Sequence, residues 1–352
     1  MIKFAYCRHL KRIFIKKFLK ISLALFVALV TLQVAMLIVL QFPGVQTFVA
    51  QKVTGAVSHK IDGDIKLGKV YFVFFNKLIV NDISIVSRTQ SPLLDSLKCN
   101  FGYSDTLLRC DKLSLTVNVK DLIDGKINLQ RVYINGGEFN LQTEEERRTN
   151  LDRIFRLSKN KEKDTSAMPL NLIANTLKIS NFRFAMRNHL RYVPKGDSTI
   201  NFADLDVRDI NVNISDIRLK SDTLYAAINN IQGCDKSGLK LASLQGNATI
   251  CGKEAMVRDF YLADSYSEIN SKYFYMRYDS PKDFSDFVNN VEMGLDMNSS
   301  FLNFRTIGKI APALSESRLA FNMQGAVSGT VNDLRSDGLL VTSESGQSFI
   351  NL

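Results

Sequence analysis

The first 61 residues contain no acidic side chain, and they enclose a 22-residue run, Ile21–Phe42, that carries no charge at all. At 1.5 Å per residue such a run can cross the hydrocarbon core of a bilayer as a helix. Its polar residues are only Ser22, Thr31, Gln33 and Gln41. A helix satisfies its own backbone, so lipid would meet side chains alone. A core helix of a soluble domain is rarely this long without a charge. A cleaved secretory leader would be shorter and would end in small residues; Ala50 offers one, but Phe48 stands where a second is needed. The run is therefore read as an uncleaved anchor. Lys3, Arg8, Lys11, Arg12, Lys16, Lys17 and Lys20 precede it, whereas only Lys52 and Lys60 follow before Asp62. Positive charge stays on the cytoplasmic side. This predicts a basic cytoplasmic tail over 1–20, a single span over 21–42, and the bulk of the chain on the far side of the membrane.

The net charge of +10 belongs to that anchor. Residues 1–61 hold nine Lys or Arg, and the remaining 291 residues hold 36 basic and 35 acidic side chains. The folded part is nearly neutral, which argues against a nucleic-acid partner, whose reader needs a basic face. The five cysteines, Cys7, Cys99, Cys110, Cys234 and Cys251, form no C-x-x-C pair. Cys99 with Cys110 and Cys234 with Cys251 are spaced for cross-strand bridges in an oxidising compartment, and inert buried thiols are the equal alternative.

Pro43-Gly44 stops the span. Val45, Phe48, Val49, Val53, Ala56 and Val57 then recur at helical spacing, which predicts a short amphipathic helix over 43–60, lying on the membrane or capping a sheet. From Asp62 the period becomes two. Leu113–Val119 and Arg318–Gln324 alternate strictly, as strands with one buried face do. Leu205, Val207, Ile210, Val212 and Ile214 alternate with one slip at Arg208-Asp209, which predicts a bulge. Three segments, Leu78–Ile85, Val132–Leu141 and Leu177–Phe184, share a pattern of two apolar-alternating stretches around a small polar pair, read as strand–turn–strand units of a meander. Asn150 is placed to cap a helix through Leu151, Ile154, Phe155 and Leu157, between charged surface stretches at Glu144–Arg148 and Lys159–Asp164. Ser280-Pro281 opens a second helix with Phe284, Phe287 and Val288. Ser299 or Ser300 caps a third with Phe301, Phe304 and Ile307. No linker divides residues 61–352. The expected fold is mainly β: an elongated, curved, antiparallel-rich sheet forming an open groove, with a few short helices. The final strand pattern at Ser348–Leu352 would leave an open edge, so either something covers it or the chain is the front part of a longer protein.

Catalytic chemistry is hard to find. Gly63–Val70 approaches a phosphate-binding loop, but Val70 has no hydroxyl for magnesium and a strand pattern follows where a helix is needed. His9, His59 and His189 are far apart in sequence. Asp62/Asp64 and Asp204/Asp206 are read as solvated carboxylates. No cofactor and no metal are expected, nor is an enzyme. The apolar excess is more telling: Val70–Phe75 and Tyr273–Met276 are apolar on both faces, and the chain has 23 phenylalanines. A sheet covered by helices would use them as core. A sheet whose inner face stays open would use them to hold acyl chains, each buried methylene contributing about 0.8 kcal/mol. On that second reading Phe72, Phe74, Leu115, Val117, Phe184, Val212, Phe274 and Phe321 are the candidate lipid-contacting residues.

Several landmarks fall in a familiar order: the basic tail and span, Phe42–Gln46 and the helix to Val57, Gly63–Val70, Val132–Leu141 followed by Asn150-Leu151, Ser280–Phe287, and Gly325–Gly329 with Leu334. In that order the chain resembles the AsmA-like family, in particular the N-terminal part of its TamB branch, the inner-membrane subunits of translocation and assembly modules. The resemblance implies an inner-membrane anchor bearing a long periplasmic β-sheet with an apolar groove. It implies phospholipid acyl chains as cargo in transport to the outer membrane and outer-membrane biogenesis, and an outer-membrane barrel partner. A scaffold for outer-membrane protein assembly, without lipid conduction, is the alternative.

Overall fold

The computed structural model describes residues 44, 46–47, 51, 61–73, 76–89, 91, 103–118, 120–121, 127–145, 148–155, 172–191, 198–280, 283, 287–310, 314–343 and 349–351. The anchor, the basic tail and most of the 43–60 segment lie outside the described residues, as do Phe74 and the charged stretch after Leu157. No helix among the described residues is long and apolar enough to cross a membrane.

Long runs of period-two alternation produce one large sheet. Its strands are β1 (Gly63–Lys66), β2 (Val70–Val73), β3 (Lys77–Ser87), β4 (Thr106–Val117), β5 (Ile127–Glu145), β6 (Arg148–Thr149), β7 (Leu172–Asn188) and β8 (Asp204–Lys220). The second half contributes β9 (Thr223–Asp235), β10 (Lys240–Ile250), β11 (Glu254–Asp264), β12 (Glu268–Arg277), β13 (Glu292–Asn303), β14 (Ala320–Thr330), β15 (Asp333–Ser343) and β16 (Phe349–Asn351). Spatial order follows chain order, except that β2 shares β3 with β1, and β6 sits beside β5. Neighbours are antiparallel throughout save β5 and β7, which run parallel over an unbroken register from Ile127↔Leu172 to Thr143↔Asn188. The crossover between them contains helix α1 (Asn150–Phe155). The two ends of the order do not meet, so the sheet is open. At about 4.8 Å per strand, its path runs for roughly 60 Å.

The three segments read as strand–turn–strand units are not hairpins. Leu78–Ile85 lies within β3, Val132–Leu141 within β5 and Leu177–Phe184 within β7, each a single strand passing through its polar pair. The polar pair is a kink. Asp82, Gly136 and Asn181 have φ of 53°, 71° and 54°, a left-handed conformation inside an otherwise extended strand. Asp209, at the predicted slip in β8, has φ of 52°, and the β8–β9 register shifts there. One left-handed residue offsets the alternation by one position and bends the strand, as bulges do. Apolar residues spaced φ-x-φ-x-x-φ-x-φ therefore return to the same face.

The kinks lie side by side. The left-handed Asp82, Gly136 and Asn181, and Asp111, which has no left-handed φ, fall at matching positions of β3, β5, β7 and β4, each flanked by ladder pairs but outside the ladder itself. Gly136-Gly137 sits mid-row because no side chain fits. A Cβ on Gly136 would come within 2.2 Å of Asp111 Oδ2, and one on Gly137 within 2.3 Å of the Arg109 carbonyl. A second row crosses the other half through Gly246, Asp259, Gly325 and Gly338, all with positive φ. Register shifts between β12 and β13 and between β13 and β14 carry it across those strands. The sheet is creased along its length by two rows of kinks.

Among the described residues, helices cover little of it. Around α1 lies a small hydrophobic cluster of Ile61, Leu107 and Ile154, with Ile65, Ile85, Phe139, Leu151 and Phe155 packed against it. The cap of α1 is a reciprocal pair. Thr149 Oγ1 accepts the Asp152 N–H at 3.2 Å, and Asp152 Oδ2 accepts the Thr149 N–H at 3.0 Å. Asn150 is freed for another task, described below. Of the second helix, α2 (Phe287–Asn290) is described, later than its Ser280-Pro281 signal; the Asp283 carboxylate binds the Asp279 and Ser280 N–H groups, each at 2.8 Å. Helix α3 (Phe304–Ile310) is capped by Asn303, whose Oδ1 accepts the Arg305 N–H at 2.9 Å. Ser299, Ser300 and Phe301 are strand residues instead. Ser300 is buried in β13 and bonded to Asn270, because a strand bond was available for its hydroxyl.

Asn181→Val should lower unfolding stability by about 1–2 kcal/mol, the cost of a β-branched residue in the left-handed region, while Asn181→Gly stays within about 0.5 kcal/mol. Urea unfolding midpoints of the two variants, compared with the parent chain, check this.

Candidate functional site

Directly opposed residues in a ladder point to the same face. Following the registers across the sheet gives rows that are apolar at every strand. One row is Val70–Val80–Leu113–Ile134–Ile179–Val212–Ile231. Beside it runs Phe72–Leu78–Leu115–Val132–Leu177–Ile214–Ile228 over the same seven strands. On the other flank of the crease Ile65–Ile85–Leu108–Phe139–Phe184–Val207 continues the pattern. Farther along, Leu219–Leu224–Ile250–Ala255–Met276–Met293 and Ala226–Ala248–Val257–Phe274–Leu295–Val327 carry it into β13 and β14.

All seven described candidates lie on this face. Phe72, Leu115, Phe184, Val212 and Phe274 are members of the rows above, Val117 is opposite Leu129, and Phe321 is opposite Leu302 and in phase with Val327. Register adds residues that sequence reading passed over, among them Val80, Ile134, Ile179 and Phe139. The Phe139 ring stacks on Phe184, with centroids 6.1 Å apart and planes at 5°. Their signal was present as the five-residue spacing of apolar pairs in β5 and β7.

The opposite face is polar. Its rows read Asn81–Lys112–Asn135–Ser180 and Ser84–Arg109–Glu138–Arg183. Tyr273 and Tyr275, which made the β12 segment look apolar on both sides, stack here at 6.0 Å, and the Arg277 guanidinium lies 4.3 Å from the Tyr275 ring centroid. Asp206 is no solvated carboxylate: it is buried between Arg183, at 2.7 Å, and Arg208, at 2.9 Å. The bonds from Arg183, then those from Arg208, hold its carboxyl well below the ordinary range despite burial. Asp204 likewise pairs with Arg187 and Lys236.

The apolar face is covered where α1 packs and only partly exposed elsewhere. Phe72 remains 46% exposed and most residues of the rows are half-buried, whereas Val70 and Val80 are buried and Ile65, Ile85 and Phe139 pack against the cluster around α1. A creased sheet explains the half-burial, since side chains on the inside of a bend screen one another. Two attachments close its N-terminal corner. Thr47 Oγ1 accepts the Val70 N–H at 3.1 Å and Gln46 Oε1 accepts the Phe72 N–H at 2.7 Å, so two side chains satisfy the outer edge of β2. At the other flank α1 is held by its own side chains. Asn150 Oδ1 accepts the Gln142 N–H at 2.9 Å and its Nδ2 donates to the Asn140 carbonyl at 2.8 Å, imitating a strand beside β5. Glu144, expected on the surface, is buried and accepts from Arg153, at 2.8 Å, and from Tyr103, at 2.7 Å. Burial, then the Glu144 carboxylate, pushes the Tyr103 phenol upward. His189 Nε2 lies 2.9 Å from Gln142 Oε1, and burial, aided by Arg187, lowers its proton affinity.

Other sequence candidates are dispersed. Gly63–Lys66 and Val70–Val73 are both strands, so the phosphate-loop likeness has no helix behind it. Cys110, Cys234 and Cys251 are free thiols, which removes the Cys234–Cys251 bridge. No metal-binding cluster occurs among the described residues.

The model of the AsmA family matches residues 15–259, from the basic tail into β11. The chain belongs to the AsmA family. The matched part of this AsmA-family chain includes the whole first crease and reaches Asp259 in the second. No curated protein matches the sequence.

Asn150→Ala should cost about 2–4 kcal/mol, because it strands the Gln142 N–H and the Asn140 carbonyl in a buried place; thermal unfolding checks it. Asp206 contributes stability that is complete above its unfolded pKa of about 4 and falls as pH drops below it. Acid titration of unfolding free energy should therefore fall less steeply below pH 4 in Asp206→Asn, which is less stable than the parent at pH 7.

Proposed function

We propose that this AsmA-family protein binds phospholipid acyl chains along the apolar face and passes them along the ribbon. The observation supporting it is the set of all-apolar rows, which together span from β1 to β14 on one side of an open sheet. Soluble proteins seldom leave an apolar surface of that extent to water unless it meets a partner. Acyl chains suit it because burial is non-directional: shielding five methylenes contributes about 4 kcal/mol with no polar contact. The reading requires no catalytic residue, cofactor or metal.

The acid-free tail and charge-free run favour a single-pass inner-membrane protein with its N-terminus in the cytoplasm and its sheet in the periplasm. From there the same face would serve phospholipid transport to the outer membrane and outer-membrane biogenesis, as in a TamB-type subunit. The scaffold alternative, assembly of outer-membrane proteins with a barrel partner, draws support from one feature. Strand β16 pairs only with Leu340–Thr342 of β15, so among the described residues Asp333–Leu339 presents an unpaired strand edge.

Photo-crosslinking residues placed at Leu115, Val212 or Phe274 in the full chain should capture phospholipid in cells at least about fivefold more than the same residue at Lys178 or Tyr225 on the polar face. Equal capture from both faces contradicts lipid carriage. Capture of a barrel protein near Leu334, with no lipid at Leu115, supports the scaffold instead.

A further inference from the structure

A polar cleft of about 270 Å³ opens beside α3, just under the roughly 300–1,000 Å³ of ordinary small-molecule pockets. Arg305 and Lys309 stand four residues apart on α3, hence on one side of it. Arg318 joins them from the segment that leads into β14, and Glu316 is the one acid in the lining. Lys309 is held in place by donating to the Ser237 carbonyl at 2.7 Å, which leaves its other two N–H bonds for a ligand. Arg305 rests 5.5 Å from the centroid of the Tyr266 ring. Neither Arg305 nor Arg318 takes part in an ion pair among the described residues, unlike Arg183, Arg208 and Arg277 on the polar face. Three cations against one carboxylate around a concave space form an arrangement for an anion, and guanidinium groups match phosphate oxygens in geometry.

The cleft adjoins the apolar face. Phe304, the residue before Arg305, packs on Phe321 with ring centroids 5.3 Å apart, and Phe321 belongs to that face. One turn of α3 thus touches both surfaces. We propose that the cleft binds a phosphate group through Arg305 and Arg318 and, on the acyl-chain reading above, that this phosphate is the headgroup of a phospholipid whose chains lie over Phe321. Lys309 and the Tyr266 ring frame the site, and Glu316 disfavours ligands that bring a second negative charge to its side.

The test uses the purified full chain and the double variant Arg305→Gln/Arg318→Gln. Both arginines are exposed, so the fold should survive, and far-ultraviolet circular dichroism verifies that. Dissociation constants are measured for a short-chain phosphatidic acid, for diacylglycerol of the same chain length and for inorganic phosphate. The parent chain should bind phosphatidic acid at least about tenfold more tightly than diacylglycerol, as two charge-assisted contacts warrant. The double variant should bind the two lipids equally, with diacylglycerol affinity unchanged. A variant that keeps the preference overturns the site. Loss of inorganic phosphate binding in the variant, with no lipid preference in the parent, overturns the headgroup assignment. If diacylglycerol fails to bind the parent chain while phosphate binding depends on the arginines, the acyl-chain reading fails and the phosphate site stands.

Discussion

Everything in this sheet depends on left-handed residues placed side by side in neighbouring strands. Without them, strands as long as β5 and β7 would keep a simple alternation and the sheet would only twist. Each kink offsets the alternation by one and bends the strand. Because the left-handed Asp82, Gly136 and Asn181 align, with Asp111 of β4 outside the ladder at the matching height, the bends add into a crease instead of cancelling. The same offset keeps apolar residues on one side across the crease. Shape and amphipathicity thus share one cause, and the residues responsible are small and polar: Asp, Asn and Gly, the types that tolerate φ near +55° at least cost.

That arrangement accounts for the scarcity of a conventional core. Among the described residues the buried apolar cluster is small, Ile61 and Leu107 closing on Ile154 of one short helix. Most residues of the apolar rows outside it are only half-buried. The ladders are joined at the margins by polar clamps, such as Asn150 against β5 and Asp206 between two arginines. A protein built this way can present apolar surface along its length without collapsing around it.

Much of this was legible in the sequence. Alternation gave the strands, and the slip at Arg208-Asp209 located one kink because the apolar phase visibly changes there. The equivalent slips in β3, β5 and β7 misled, since Asn-Asp, Asn-Gly and Ser-Asn between alternating stretches are also the chemistry of two-residue hairpin turns. What separates kink from turn is whether the neighbouring strand carries its own slip at the matching height, and that depends on pairing that one strand does not encode. The seven described candidates share one face because phase survives a kink; Phe139, Ile134 and Ile179 were passed over because their rows exist only in the register. Glu144 and Asp206 looked solvated for a related reason: Arg153 is nine residues from the first, and Arg183 is 23 from the second, so proximity in space was hidden.

The central claim is that one continuous creased apolar face remains open and is occupied by acyl chains. The most direct measurement is a cryo-electron microscopy map of the full chain extracted with its native lipids. The account predicts elongated density lying over the row Val80–Leu113–Ile134–Ile179–Val212 and none over Lys112–Asn135–Ser180. A map in which a second protein layer seals the apolar rows, leaving no space for chains, would contradict it.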